Sequence, residues 1–255
     1  MPRAVIRIRP EPHYRRTAFV LGLERVGYTV VDGSRDRDWI PEGPTDLLVL
    51  WNRKQAFDGR LADQWERRGG TVLVVENGYL QKVDKTIYAI SVGDHNGNGW
   101  FPWDPEEDRF SQLGFPLKPP VVRDHLHPVL VIGQRGIGSP TMASPPNWGE
   151  KMVEKLGKAN AWLRPHPGNF KPRKPLEVDF EYARKVYIWN SSVGVRALVE
   201  GLEVVAFAPQ WICKGHFDDR VQALQHMAHG QWSVEEITSG EPFARMAAAD
   251  WGRKC

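Results

Sequence analysis

Short apolar segments alternate with amphipathic segments along most of the chain, and this alternation constrains the fold more than any other feature. Residues 46–51 (Asp-Leu-Leu-Val-Leu-Trp) and 71–76 (Thr-Val-Leu-Val-Val-Glu) predict buried strands. Apolar residues at helical spacing in 15–26 predict a helix that ends at Gly27. Apolar strands that alternate with helices are typical of a doubly wound parallel sheet. The sequence therefore predicts an α/β fold.

The alternation stops between Gln81 and Lys118 and then restarts. That interval is rich in Gly, Asn, Asp, Pro and Trp, which is typical of long loops around a site. Further strands are predicted at 127–133, 161–165, 185–190 and 203–208, and further helices at 147–158, 193–200, 221–228 and 241–251. We predict two Rossmann-like domains, residues 1–122 and 123–255, with a central cleft where ligands bind beyond the carboxyl ends of the strands.

Composition excludes several classes of protein. The apolar runs are far shorter than the roughly 20 residues of a membrane helix, and the N-terminus has no apolar segment typical of a secretory signal. Two cysteines are too few for a disulfide framework. We therefore expect a cytoplasmic protein that does not bind membranes. The formal net charge of +3 permits a polyanionic partner without requiring one.

Tryptophan is unusually frequent, with eleven in 255 residues. Trp100, Trp103, Trp148 and Trp232 stand in polar or Gly- and Pro-rich surroundings, where aromatic planes suit stacking on sugars or bases. Hydrophobic packing under long loops is the alternative for at least half of the tryptophans.

The segment 129–140 (Val-Leu-Val-Ile-Gly-Gln-Arg-Gly-Ile-Gly-Ser-Pro) leads an apolar strand directly into a glycine-rich loop. Glycines such as Gly136 let backbone N–H groups approach a phosphate, and Arg135 can bind it through two hydrogen bonds. Gln134 and Ser139 add an amide and a hydroxyl. The common ATP and NAD fingerprints are absent. The alternative is an ordinary turn between a strand and a helix.

Two further predicted strands end in polar side chains. Arg164 and His166 follow one of them, with prolines on both sides of His166 restricting the backbone. Ser191 and Ser192 follow the other, immediately before a predicted helix, where hydroxyls bind anions or simply cap the helix. Three such segments at successive strand ends indicate a diphosphate or nucleotide site.

These segments resemble glycosyltransferases of the GT-B fold, especially those of capsule-polysaccharide synthesis. Such proteins pair a strand-end His-Pro, here residues 166–167, with a Ser-Ser-x-Gly-x-x-Ala-Leu-x-x-Gly-x-x-Val helix start, here residues 191–204. Residues 76–80 (Glu-Asn-Gly-Tyr-Leu) are similar to their Glu-Asp-Gly-Phe-Leu segment. Residues 134–139, with the loop 95–97, resemble glycosyltransferase-like proteins of bacteriophages more closely.

The resemblance covers roughly residues 70–210 and implies a GT-B arrangement of two domains. One position departs from it, because GT-B donor helices often carry a Glu for the nucleotide ribose where this chain has Arg196. Glu200, one turn later, is the candidate substitute. The residues expected to bind the donor are Gln134, Arg135, Gly136, Ser139, Arg164, His166, Ser191, Ser192 and Glu200.

Transfer to a hydroxyl needs a group that takes the proton of the acceptor. The favoured candidate is Asp94, in a glycine-rich loop, with His95 beside it as a partner or substitute. Glu76, at a predicted strand end, is the alternative base or a residue that orients the loop. A turn-forming role is the alternative for Asp94. The residues expected to bind the acceptor are Asn96, Trp100 and Trp103.

The sequence offers only weak metal-binding candidates. Asp36 and Asp38 have the Asp-x-Asp form that holds a metal in other glycosyltransferases, but a solvated turn explains them better. His125 and His127 lack a third ligand at suitable spacing. We therefore expect a reaction that needs neither a metal nor a cofactor.

The resemblance implies a glycosyltransferase that uses a nucleotide sugar such as a UDP-sugar. Hydroxymethylated pyrimidine in double-stranded phage DNA is the favoured acceptor, with a capsule or cell-surface glycan as the alternative. A nucleotide-binding module without transfer activity is the alternative of another class. Basic residues expected along a DNA duplex are Arg3, Arg7, Arg9, Arg15, Arg16, Lys82 and Lys85.

Overall fold

The computed structural model describes residues 1–10, 15–33, 39–53, 57–80, 86–95, 97–140, 142–169, 174–215 and 217–252. The strands of this part of the chain are β1 (Arg3–Arg7), β2 (Thr29–Asp32), β3 (Leu47–Trp51), β4 (Thr71–Asn77), β5 (Ile87–Val92), β6 (Val129–Ile132), β7 (Ala161–Arg164), β8 (Lys185–Ile188), β9 (Glu203–Ala206) and β10 (Gln231–Ser233). Its α-helices are α1 (Arg16–Arg25), α2 (Phe57–Arg67), α3 (Arg109–Gln112), α4 (Trp148–Leu156), α5 (Leu176–Tyr182), α6 (Val193–Val199), α7 (Arg220–Ala228), α8 (Val234–Ser239) and α9 (Glu241–Ala248).

The strands form two sheets. The first has six strands in the order β10-β5-β4-β3-β1-β2, and the second has four in the order β7-β6-β8-β9. Strands β1 to β4 pair in parallel, as do all four strands of the second sheet. β5 and β10 are antiparallel to their neighbours. The predicted α/β class with mostly parallel sheets is confirmed.

The central strands of the first sheet are apolar on both faces because helices cover both. Leu47 and Val49 of β3 pack in the cluster that contains Phe19 of α1. The alternate residues of β3 pack against α2, whose Trp65 is fully buried. In a strand, successive side chains point to opposite faces, so a strand buried on both sides is an uninterrupted apolar run.

The second sheet is built in the same way. Val129 and Val131 of β6 contact Trp148 of α4, whereas Leu130 and Ile132 face the larger core. That core is continuous with the core under the first sheet, because both sets of residues belong to one cluster.

The C-terminal segment does not stay with the second sheet. After α7, strand β10 pairs with β5 at the edge of the first sheet, and α8 packs on α1. The expected boundaries, 1–122 and 123–255, remain a prediction, but residues 231–233 belong to the first sheet. The sequence pattern missed this return because β10 has only three residues.

Two other expectations were wrong. The interval from Gln81 to Lys118 contains a regular strand, β5, where long loops were expected. Trp148 and Trp232 are buried, so for these two the packing alternative holds and the stacking interpretation is wrong. Trp232 is shielded by arginine side chains: the Arg109 and Arg245 guanidinium carbons lie 4.6 Å and 5.5 Å from its ring centre. Among the described helices, none is both long and apolar enough to cross a membrane.

Candidate functional site

A cleft of about 760 Å³, including the space at its mouth, lies where the carboxyl ends of parallel strands from both sheets face each other. The residues that line it are Asn52, Glu76, Asn77, His95, Gln134, Arg135, Ile137, His166, Asn190, Ser191 and Ser192. They lie at or after the carboxyl ends of the parallel strands β3, β4, β6, β7 and β8, except His95, which follows the antiparallel strand β5. This is the place where open α/β sheets bind ligands. Besides Glu76, six of the residues expected to bind the donor or to act in catalysis line the cleft: His95, Gln134, Arg135, His166, Ser191 and Ser192.

Gln134 joins two strand ends rather than facing the cleft freely. Its Oε1 accepts hydrogen bonds of 2.9 Å from the backbone N–H groups of Trp189 and Asn190, and its Nε2 donates to Asn190 Oδ1 at 2.5 Å. Asn190 Nδ2 in turn donates to the Met142 carbonyl at 2.6 Å. These bonds fix the Gln134 amide at the edge of the cleft, and its role in donor binding stays a prediction.

Arg135 and His166 provide the cationic and donor groups of the second-sheet wall. The Gly168 N–H donates to His166 Nδ1 at 2.9 Å, so in the neutral ring the proton is on Nε2. Burial, followed by the positive charge of Arg135, lowers the pKa of His166 below its ordinary value. A Cβ at Gly168 would lie 3.0 Å from His166 Nδ1 and 3.1 Å from Arg135 Nη1. Glycine there lets both side chains approach the turn.

Ser191 and Ser192 are half-buried in the cleft between β8 and α6. Ser191 Oγ accepts a hydrogen bond from the Val193 N–H at 3.2 Å, whereas Ser192, the N-cap residue of α6, makes no capping hydrogen bond with its side chain. The Ser191 hydroxyl proton is not used by that bond and can be donated to a ligand.

Glu76 is the carboxylate of the first-sheet wall. It ends β4 and is partly exposed to the cleft. The Tyr79 hydroxyl donates to Glu76 Oε1 at 2.5 Å, and His95 Nδ1 lies 3.8 Å from the same oxygen. Within the described residues, no hydrogen bond reaches Oε2. Glu76 can therefore accept a proton from a group in the cleft.

His95 is buried behind Glu76, with 5% of its side chain exposed. Its Nδ1 lies 3.8 Å from Glu76, and its Nε2 lies 3.9 Å from Asp94 Oδ1. Neither ring nitrogen has a hydrogen-bond partner among the described residues. Both nitrogens are closed to solvent, so an acceptor reaches Glu76 more readily than His95.

Asp94 is buried in its own loop and does not line the cleft. Its Oδ1 accepts from the His95 N–H at 2.9 Å, and its Oδ2 accepts from Asn98 Nδ2 at 2.8 Å. The Ser91 hydroxyl donates to its carbonyl oxygen. These bonds assign Asp94 to the conformation of the loop, and they make it a poor candidate for the base.

We expect Asp94→Asn to destabilise the fold by about 1–3 kcal/mol, because a charged acceptor of two hydrogen bonds is replaced by a side chain that can keep only one. Chemical denaturation measures the free energy of unfolding. A variant of wild-type stability would contradict this structural role.

Two expected donor-binding residues lie outside the cleft. Arg164 pairs with Asp179 and donates to the Lys174 carbonyl at 3.0 Å. Glu200 stands at the opposite end of α6 from the cleft, where it pairs with Lys118. Glu200 is not among the residues that line the cleft, so its expected contact with a nucleotide ribose stays a prediction that the cleft geometry does not support.

Two further donor candidates belong to the loop after β6 but are not among the residues that line the cleft. Gly136 has a φ of +62°, and Ser139 accepts hydrogen bonds at its carbonyl from the Met142 and Ala143 N–H groups. Ile137 of the same loop does line the cleft. The loop therefore approaches the site through other residues than the sequence indicated.

The expected acceptor residues also lie elsewhere or cannot be described. Trp100 forms a β-bridge with Val92 and packs on the core. Trp103 is 46% exposed, and its ring is edge-on to those of Phe217 and His226. Neither tryptophan lines the cleft. Asn96 lies outside the described residues.

Sequence reasoning missed Asn52, Asn77, Ile137 and Asn190 in the cleft. The position of Asn52 directly after β3 was an available signal, and its φ of +62° is uncommon for a residue other than glycine. Asn77 follows Glu76 and is exposed. These two carboxamides, not the tryptophans, line the cleft together with Glu76.

The weak metal candidates gain no further ligands from the structure. Asp36 and Asp38 lie outside the described residues. His127 Nδ1 lies 2.9 Å from Asp124 Oδ1, in a turn away from the cleft. In the part of the chain that the structure describes, no three His, Cys, Asp or Glu side chains are grouped as metal ligands would be.

Comparison with solved structures shows which fold this arrangement shares. The chain is similar to Thermosulfurimonas dismutans KpsC, beta Kdo 2,7 transferase, with a TM-score of 0.54 and 14% identity over 94% of this chain and 98% of that one. It is also similar to Thermosulfurimonas dismutans KpsC, beta Kdo 2,4 transferase, with a TM-score of 0.52 and 11% identity over 93% and 98%. No family model and no curated protein matches. The chain therefore has a glycosyltransferase-like fold.

Proposed function

We propose that this chain is a glycosyltransferase of the GT-B arrangement that transfers a sugar from a nucleotide sugar to a hydroxyl of a glycan. One observation carries the proposal: the cleft has cationic and hydroxyl groups on its second-sheet wall and a carboxylate on its first-sheet wall. A transferase needs both, one to stabilise the leaving phosphate and one to accept a proton. The fold shared with the two Kdo transferases supports it.

The donor is assigned to the second-sheet wall. Arg135 and the Nε2–H of His166 donate to phosphate oxygens, together with the hydroxyls of Ser191 and Ser192. Hydrogen bonds from fixed groups stabilise the negative charge that grows on the leaving nucleotide. UDP-sugars remain the expected donors, and nucleotide-activated Kdo is added because the structural neighbours are Kdo transferases.

The acceptor is assigned to the first-sheet wall, beside Asn52 and Asn77. The acceptor O–H bond breaks and its proton passes to Glu76 Oε2. The oxygen forms a bond to the anomeric carbon of the sugar, and the bond from that carbon to the phosphate oxygen breaks with its electron pair leaving on the nucleotide. Metal independence is part of this proposal, because Arg135 and His166 occupy the phosphate side.

A glycan acceptor is preferred to DNA because three of the seven basic residues expected along a duplex are paired with acidic neighbours; Arg9 and Arg15 are exposed and have no ion pair within the described residues. Arg3 pairs with Glu42 at 2.5 Å, and Arg7 pairs with Asp58 at 3.0 Å. Arg16 likewise pairs with Asp32 at 3.0 Å, and Lys82 and Lys85 lie outside the described residues. Paired charges release few counterions on binding, so they contribute little affinity for a polyanion.

Incubation with a panel of UDP-sugars and nucleotide-activated Kdo tests the proposal. Each donor is offered with a set of oligosaccharides or with hydroxymethylated DNA, with and without a metal chelator, and products are identified by mass spectrometry. Transfer to an oligosaccharide that survives the chelator is expected. Transfer to DNA alone would overturn the glycan assignment, and nucleotide binding without any transfer would favour a non-catalytic module.

We expect Arg135→Ala to weaken nucleotide-sugar binding by about 10- to 100-fold, because hydrogen bonds to charged groups contribute about 1.5–3 kcal/mol. Arg135 is exposed, so the melting temperature should hardly change. Calorimetric titration measures the affinity. Arg60→Ala is the matched control, since Arg60 is exposed on α2 and does not line the cleft. Equal affinity in the two variants would contradict the donor assignment.

A further inference from the structure

The environment of the Glu76 carboxylate contains one group that neither the motifs nor the comparisons explain. The Tyr79 hydroxyl donates a 2.5 Å hydrogen bond to Glu76 Oε1 from a ring that is 4% exposed. The Glu-Asp-Gly-Phe-Leu segment that residues 76–80 resemble has phenylalanine at this place. This chain therefore differs from that segment by having a hydroxyl group next to the proposed base.

Tyr79 is held in place by the strand that returns from the C-terminus. Its backbone N–H donates to Gln231 Oε1 at 2.9 Å, and Gln231 is fully buried in β10. The Gln231 carbonyl in turn accepts a 2.9 Å hydrogen bond from Arg109 Nη2. A tyrosine fixed at its backbone can hold its hydroxyl in one position, which is what orienting a carboxylate requires.

We propose that Tyr79 is a positioning residue for Glu76, a role that rests on the proposed transferase function. Its hydrogen bond occupies Oε1 and turns Oε2 toward the acceptor. His95 Nδ1, at 3.8 Å from Oε1, is beyond hydrogen-bond distance and does not replace it. Within the described residues, Tyr79 makes the only hydrogen bond to the Glu76 side chain. Without it, the carboxylate can rotate away from the acceptor.

Tyr79→Phe, which removes one oxygen atom, tests this role in the full-length protein. Turnover with the donor and oligosaccharide found by the panel should fall on the order of tenfold, because one hydrogen bond to a charged group is lost. The KM for the donor should not change, since Tyr79 is not on the donor wall. Tyr182→Phe is the matched control because the Tyr182 ring is 59% exposed on α5. Wild-type turnover of Tyr79→Phe would overturn the proposal.

A double-mutant cycle of Tyr79→Phe and Glu76→Ala separates failure of this proposal from failure of the function. Denaturation of the four proteins should give a coupling on the order of tenfold in the unfolding equilibrium constant. Additive effects would overturn the contact itself, whatever the activity. If the cycle shows coupling but the wild-type protein transfers no sugar, the contact exists while the proposed function is wrong, and the positioning role is wrong with it.

Discussion

Glu76→Gln should lower turnover by about 10²- to 10⁴-fold, the contribution of a general base. Glutamine keeps the size of the side chain and an oxygen that can accept from the Tyr79 hydroxyl, but it cannot take the proton of the acceptor. The affinity for nucleotide sugar should stay within a factor of two or so, because Glu76 lies on the opposite wall of the cleft from Arg135. Steady-state kinetics with saturating donor measures the change.

Asp94→Asn is the control for Glu76→Gln, because it makes the same chemical change at a carboxylate that lies outside the cleft. Its turnover at a temperature well below unfolding should remain far above that of Glu76→Gln. If Asp94→Asn is the more damaged enzyme, Asp94 is the base and the assignment of Glu76 is wrong. If neither substitution lowers turnover, the proton goes to the donor phosphate instead.

The second large effect is expected for Gly97→Ala, which should destabilise the fold by about 2–5 kcal/mol. Gly97 has a φ of +93°, and a Cβ there would lie 2.3 Å from the Ile212 backbone nitrogen. Strain of the left-handed conformation costs about 1–2 kcal/mol, and overpacking adds about 1–3 kcal/mol. The Gly97 backbone cannot move away easily, since the same loop holds His95 beside Glu76. Chemical denaturation measures the loss.

Gly114→Ala separates the two causes. Gly114 also has a positive φ, +72°, but a Cβ there would meet nothing within 4 Å. It should cost only the conformational part, about 1–2 kcal/mol. Equal losses for Gly97→Ala and Gly114→Ala would show that the contact with Ile212 does not matter.

The parallel core of the fold could be predicted from sequence because its strands are buried on both faces. Runs such as residues 47–51 are apolar throughout, which is typical of a strand buried on both faces. β10 could not be predicted in the same way. It is three residues long, and it becomes a strand only by pairing with β5, a contact between residues about 140 positions apart.

The sequence predicted the cleft residues that lie at strand ends. It did not predict which neighbouring group each side chain would contact. Arg135, His166 and Glu76 directly follow or end parallel strands, so the topology alone brings them to the cleft. Gln134 follows the same strand as Arg135 and was predicted on the same grounds, but its amide forms hydrogen bonds with Asn190. Such a competition depends on distances between strands, and a linear motif does not contain them.

The return of β10 to the first sheet also affects how the molecule is made. A ribosome releases the residues of β5 about 140 residues before those of β10, so the edge of β5 lacks this neighbour throughout that interval. An open strand edge is a template for pairing with other chains. Gln231, which anchors Tyr79, emerges at the same late moment. The Glu76 carboxylate therefore acquires these surroundings only after β10 has been translated.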